Sequence, residues 1–147
     1  MSDRHLCKAK RTDNGEWIEG YYVRYGKCDW IYTGEVDKLN EFDNHYGIKI
    51  YPAIKYLVDP STLCQCTGLK DKNGKLIWEN DICIINSGHI DEEDVYFTIE
   101  WDNDGARFIL ASDGLTVDFD NYYGYECEII GNIFDNPELL EGGAGND

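Results

Sequence analysis

Cys64 and Cys66 stand two residues apart, a spacing that in a β-strand turns both thiols to one side and could offer them to a metal together with Cys83 and His89. Zinc is usually held by knuckles in which a few residues separate paired cysteines, and the chain has no second knuckle to complete a site. The stretch from Thr67 to Gly74 is short, basic and glycine-containing, the composition of a phosphate cradle. A cradle needs several N–H groups converging at a helix N-terminus or nest, whereas this segment leads into a strand and Asn73-Gly74 explains it as a hairpin turn. Asp91, Glu92, Glu93 and Asp94, and the turn from Asp102 to Gly105, carry carboxylates suited to a hard cation, but neither follows the spacing of a calcium loop. A solvated loop and a β-turn account for them. His5, His45 and His89 lie among polar residues, and no nucleophile elbow, His-Glu-x-x-His or Walker pattern occurs. Carboxylates are so abundant that no pair stands out as an acid and a base. The residues predict no enzyme, no metal and no cofactor.

What they predict instead is an interaction surface. Thirteen Lys and Arg against 29 Asp and Glu give a net charge of -16 and a pI near 4.3. The charge is localised: residues 1–30 carry six cations against five carboxylates, residues 31–85 six against eight, and residues 86–147 one against sixteen. Such a balance argues against non-specific binding of DNA, RNA or anionic lipid, and would steer association with a cationic protein. Asp91, Glu92, Glu93 and Asp94 with Tyr122, Tyr123 and Tyr125 combine a charged rim with aromatic anchors, and are the candidate interaction surface. The competing reading has these tyrosines and Trp101 capping the core. A second functional reading puts nucleic acid on a face made by Lys8, Lys10, Arg11, Lys70, Lys72 and Lys75, and a third makes the chain a structural subunit of a homo-oligomer.

These side chains must be positioned by strands. The chain has 147 residues, 42% hydrophobic and 14% aromatic, enough for an ordered core. Period-2 alternation rich in β-branched and aromatic residues dominates, broken by Gly, Asn and Asp at intervals typical of all-β domains. Asp13-Asn14-Gly15 and Lys72-Asn73-Gly74 predict two hairpins, and Asp59-Pro60-Ser61-Thr62 predicts a turn. Asp81 is read as a turn carboxylate that accepts backbone N–H groups. Val36, Leu39 and Phe42 recur at three-residue spacing, predicting a short, weakly capped helix or an excursion loop. Asn136-Pro137-Glu138 predicts a one-turn helix with Asn136 as N-cap and Pro137 at the first helical position. Residues 141–147 predict a disordered tail. No apolar leader precedes the six cysteines and apolar runs span only a few residues, so the reading is a cytoplasmic chain with free thiols and no membrane segment.

Residues 65–85 read Q-C-T-G-L-K-D-K-N-G-K-L-I-W-E-N-D-I-C-I-I. This block resembles the signature of the YopX family, small proteins encoded mainly by bacteriophages and prophages. Three more segments fit in order: residues 10–22, residues 58–62, and residues 128–140, which read E-I-I-G-N-I-F-D-N-P-E-L-L. The signature positions here are Gln65, Thr67, Gly68, Leu69, Asp71, Asn73, Gly74, Glu79, Asp81, Gly131, Asn132 and Pro137, read as structural. Two departures stand out: Cys66 where the family tends to have an aromatic, and Asn80-Asp81 where it tends to have Gly-Asp. Asn is the non-glycine residue that best tolerates positive φ, so the turn survives. Segments 34–52 and 111–124 have no firm counterpart. The resemblance implies a mostly β fold containing a barrel and a phage origin, and no established activity.

The resulting expectation is an all-β chain, one domain over residues 1–140, with a small SH3-like barrel around residues 63–110, further N- and C-terminal strands and a one-turn C-terminal helix. Its expected role is that of a non-enzymatic phage or prophage accessory protein binding a basic protein partner.

Overall fold

The structure, a computed structural model, describes residues 5–85, 95–119 and 127–143. The chain packs as two compact units, residues 5–65 and a C-terminal unit from Cys66 onward. The boundary falls inside one long strand, Ala53–Lys70, most of which belongs to the N-terminal unit.

The N-terminal unit holds β1 (Cys7–Arg11), β2 (Trp17–Tyr25), β3 (Cys28–Val36), the two-residue β4 (Phe42–Asp43) and β5 (Lys49–Ile50), and the first part of β6 (Ala53–Lys70). All pairings are antiparallel: β1 with β2, β2 with β3, β3 with β6, and β1 also with β6. The Asn14-Gly15 turn closes the first hairpin, with Gly15 at φ 74° and the Asn14 side chain accepting the Glu16 N–H. Ala9, Ile31 and Val58 form a small core, with Cys7, Ile18, Tyr22 and Leu63 packed against it. The Tyr22 hydroxyl donates to the buried Asp29 carboxylate, and that bond, with burial, raises the Tyr22 pKa.

One local prediction is corrected in this unit and another is narrowed. Asp59-Pro60-Ser61-Thr62 does not break the chain into two strands; β6 runs through it as a register shift opposite Lys8 and Lys10. Proline supplies no N–H, which an irregular ladder tolerates, and side chains close the gap. The Lys10 N–H donates to Thr62 Oγ1, and Ser61 donates to Asp59 Oδ1 from both its N–H and its hydroxyl. Of the short helix or excursion loop predicted near residues 35–42, the structure has the loop, with one 3-10 turn, Lys38–Asn40, capped by Asp37, which accepts the Leu39 N–H. Val36, Leu39 and Phe42 are all exposed, Leu39 by 95%, so the stripe that suggested a helix has nothing to pack against.

In the C-terminal unit the end of β6 pairs with β7 (Leu76–Trp78). A separate five-stranded antiparallel sheet has the order β11 (Leu115–Asp118), β10 (Arg107–Ser112), β9 (Val95–Asp102), β8 (Asp81–Ile85), β12 (Cys127–Asn132). β8 is buried along almost its whole length, as a continuous Ile-Cys-Ile-Ile run between two neighbours should be. The short β11 lies at an edge, with Leu115 and Thr116 exposed. Ile77, Cys83, Ile85, Phe97, Ile99 and Leu110 lead the core, joined by Phe119, Cys127 and Ile129. Among the described residues the sheets are not closed as the barrel expected around residues 63–110: strands in that range divide between two sheets, and the second has β11 and β12 at its edges.

Helix α1 (Glu138–Gly143) extends the predicted single turn, taking in residues 141–143 of the predicted tail; residues 144–147 lie outside the described residues. Asn136 is not its side-chain cap. Its Oδ1 instead accepts the Asn132 N–H behind it.

Candidate functional site

The family-like residues gather in the C-terminal unit as a set of hydrogen-bonded turns. Between Cys66, opposite Trp78, and Lys70, opposite Leu76, β6 carries two extra residues. Gly68, at φ 82°, allows this bulge. Thr67 is buried within it, donating its hydroxyl to the Ile77 carbonyl at 2.8 Å and accepting the Leu69 N–H, while Leu69 drops onto the core.

Asp71 follows, 5% exposed. One carboxylate oxygen accepts the N–H groups of Asn73 and Lys75, each at 2.9 Å, and the other accepts the N–H of Ile129 at 3.0 Å, tying the hairpin to β12. Burial pushes the carboxyl pKa up, but the three N–H donors and the Lys75 charge outweigh it and leave the pKa below the ordinary value. Gly74, at φ 81°, closes the turn. The N–H groups that a phosphate cradle would need at Asn73 and Lys75 are thus spent on Asp71.

The β7–β8 turn is built in the same way. Asp81 accepts the Trp78 N–H at 2.8 Å, Asn80 adopts φ 72°, and Glu79 is half-buried beside them. The Asn80 N–H donates to the Ile99 carbonyl and its own carbonyl accepts the Ile133 N–H, so this turn reaches both β9 and the chain after β12. There Asn132 Oδ1 accepts the N–H groups of Phe134 and Asp135. A Cβ on Gly131 would lie 2.5 Å from Asn136 Oδ1, so only glycine lets the Asn136 amide fold back over the strand. Pro137 is exposed, and its carbonyl accepts the Leu140 N–H. Gln65, at the edge of the N-terminal unit, is exposed and opposite Cys7.

The other candidates distribute differently. Asp91, Glu92, Glu93, Asp94, Tyr122, Tyr123, Tyr125 and His89 lie outside the described residues. Cys64 and Cys66 are both buried, and among the described residues no three His, Cys, Asp or Glu side chains are grouped to hold a metal. The Cys83 thiol is raised in pKa by its hydrogen bond with Cys127 and by burial. Trp101 covers the core's rim, edge-to-face on Phe108 at 5.0 Å, with its indole N–H donated to Asn103.

Charge separates by unit. The proposed basic face is not one surface: Lys8 and Lys10 lie over the Trp17 ring, whereas Arg11, next along the same strand, stacks on Tyr56 and binds both Asp13 oxygens. Alternation along β1 turns Arg11 to the opposite side. Lys72 pairs with Glu128 at 3.4 Å. Arg107, the only cation after Lys75, is committed to Asp118 at 2.8 Å and Asp102 at 3.6 Å. Glu100, Asp104, Asp113, Asp135, Glu138 and Glu141 are all exposed.

Sequence reasoning missed the outer side of the β2–β3–β6 sheet. Tyr21 lies opposite Tyr32 and Tyr32 opposite Lys55; Val23 lies opposite Trp30 and Trp30 opposite Leu57; Tyr25 lies opposite Cys28. The signal is present in the period-2 string from Trp17 to Tyr25: one phase holds Trp17, Tyr21, Val23 and Tyr25, the other holds Ile18 and Tyr22, and only the second packs on the core.

These features define a mostly β protein in which Thr67, Asp71, Asp81, Asn132 and Gly131 of the signature hold turns and a bulge together. The YopX protein family model matches residues 7–141, and the chain belongs to that family. No curated protein matches the chain. Among solved structures, protein EF1440 from Enterococcus faecalis is similar at 23% identity with a TM-score of 0.56, covering 91% of this chain and 96% of that one. That likeness concerns the fold.

Proposed function

We propose that the chain is a phage- or prophage-encoded accessory protein of the cytoplasm that acts without catalysis, by binding a protein partner with a basic surface. The observation that carries this reading is the exposed carboxylate set of the C-terminal unit, whose one late cation, Arg107, is already paired with Asp102 and Asp118. An excess of surface charge of one sign raises the encounter rate with an oppositely charged partner and makes the complex salt-sensitive. The family resemblance supports the phage origin. Among the described residues no helix is long and apolar enough to cross a membrane.

The test is a pull-down from bacterial lysate at low and high salt, run beside a variant combining Glu100→Gln, Asp104→Asn, Asp113→Asn and Glu138→Gln. A basic protein retained by the wild type at low salt, released at high salt and lost by the variant is the expected result. Identical retention by wild type and variant would overturn the reading. Light scattering on the purified protein distinguishes a monomeric binder from a homo-oligomeric subunit.

A further inference from the structure

The three cross-strand rows on the outer side of the N-terminal sheet make a platform that folding does not use. The opposite side of the same strands carries Ile31, Val58 and Tyr22 into the core, while on this side Tyr25 is 80% exposed, Tyr21 44% and Val23 41%. Rows two residues apart along a strand are spaced by about 7 Å. Tyr21, Trp30, Tyr32 and Tyr25 thus present aromatic groups at regular steps across the sheet. The Lys55 ammonium lies 4.6 Å from the Trp30 ring centre and 5.5 Å from that of Tyr32. Lys27, exposed, sits in the turn that joins Tyr25 to Cys28. No carboxylate is among the paired residues of the three rows, in a chain that carries 29 of them; the exposed Glu19 and Asp59 flank them, two residues beyond Tyr21 and Leu57.

From this juxtaposition we infer that the platform binds single-stranded nucleic acid, with bases stacked on the aromatic rows and phosphates neutralised by Lys55 and Lys27. Every base has a π-face, so an exposed aromatic sheet accepts successive bases without regard to sequence, and cations tracking the backbone supply the electrostatic part. A protein partner fits less well, because the cores of protein interfaces are depleted in lysine, and here an ammonium lies over the central tryptophan. A duplex fits less well because its bases are already stacked. The acid-free rows matter because the rest of the chain repels phosphate: a strand held here is confined to the platform, with a short footprint. This inference does not depend on the acidic surface of the C-terminal unit.

The experiment is fluorescence anisotropy at low salt with labelled oligo-dT and oligo-rU of about twelve nucleotides, matched to the footprint of a small β-module. Full-length wild type, Tyr25→Ala and Lys55→Gln are compared, with a duplex of equal length as control. Single strands are expected to bind, and the duplex to bind more weakly. Tyr25→Ala, an exposed position whose truncation spares the core, should weaken binding about fivefold or more. Lys55→Gln should lower the slope of log affinity against log salt by about 0.7. Absence of binding up to high micromolar protein overturns the inference, as does duplex binding at least equal to single-strand binding, or affinity unchanged in both variants. A dimer in light scattering that Tyr25→Ala dissociates would give the platform to a second copy, and also overturns it.

Discussion

Removing the Asp71 carboxylate should destabilise the C-terminal unit by about 3 kcal/mol, through hydrogen bonds and not through packing. The side chain accepts three backbone N–H groups, from Asn73, Lys75 and Ile129. The Asn73 and Lys75 donors belong to an exposed turn, where water can replace the lost acceptor at a cost of a few tenths to about 1 kcal/mol each. The Ile129 donor sits on a buried strand residue, and leaving it unsatisfied costs roughly 1–3 kcal/mol. Asp71→Ala loses all three bonds. Asp71→Asn, almost the same shape, can keep the two turn bonds through its carbonyl oxygen but sets an NH2 group against the Ile129 N–H. It should cost about 2 kcal/mol, so a large effect in this isostere isolates the β12 bond from any packing change.

Urea unfolding followed by tryptophan fluorescence and far-UV circular dichroism measures both variants. The pH dependence adds an independent check. Because the folded Asp71 pKa is depressed, its contribution is fully present above the unfolded value of about 3.9 and is lost as pH falls through the lower folded value. Wild type should therefore lose stability on the acid side more steeply than Asp71→Asn, which has no proton to take up there. Both variants within about 0.5 kcal/mol of wild type, or identical acid limbs, would refute the clamp.

Gly131→Ala should cost about 1–2 kcal/mol, because the new Cβ displaces the Asn136 amide from the Asn132 N–H; in an Asn136→Ala background the same change should cost much less, and simple additivity in the double-mutant cycle would disprove the contact. Gly20→Ala places a Cβ on the Tyr32 carbonyl oxygen and should lower the stability of the N-terminal unit by about 1–3 kcal/mol in denaturant unfolding. Ala106 holds φ 52°, so Ala106→Gly should raise the denaturation midpoint, worth about 0.5 kcal/mol once the entropy of glycine offsets part of the relief; a lowered midpoint would show that the strain reading is wrong.

The sequence showed most clearly what is local. Asn14-Gly15 and Asn73-Gly74 could be placed as hairpins because the residues that make each turn lie within it. The run at Ile82 to Ile85 could be placed as a buried strand because burial on both faces leaves an unbroken apolar string. What was not legible depended on partners far along the chain. Asn136 looked like a helix cap, since nothing nearby says that Gly131 will leave room for its amide to fold back. Asp59 to Thr62 looked like a turn, since only the opposing Lys10 N–H reveals a bulge in a continuous strand. Closure of the strands around residues 63–110 is of the same kind: strand existence is local, but which strand neighbours which is not.

The same distinction separates the family signature from function. Asp71, Thr67, Asp81, Asn132 and Gly131 are conspicuous in sequence because turns and bulges demand particular residue types, and each is occupied by a backbone partner or a close neighbour. A residue whose acceptors are spent on its own backbone has little left for a ligand, so the most recognisable positions are the poorest candidates for binding. The positions with free surface, Tyr21, Val23 and Tyr25 on one unit and Glu100, Asp104 and Asp113 on the other, fall in ordinary alternating strands and polar turns. No motif marks them, because a sheet tolerates many residue types on its solvent side. Binding activity should therefore respond to substitutions outside the signature, and stability to substitutions within it. Tyr25→Ala and Asp71→Asn, measured side by side for nucleic-acid binding and for unfolding, provide that contrast: the first should change binding with little loss of stability, and the second stability with little loss of binding under conditions where the protein remains folded.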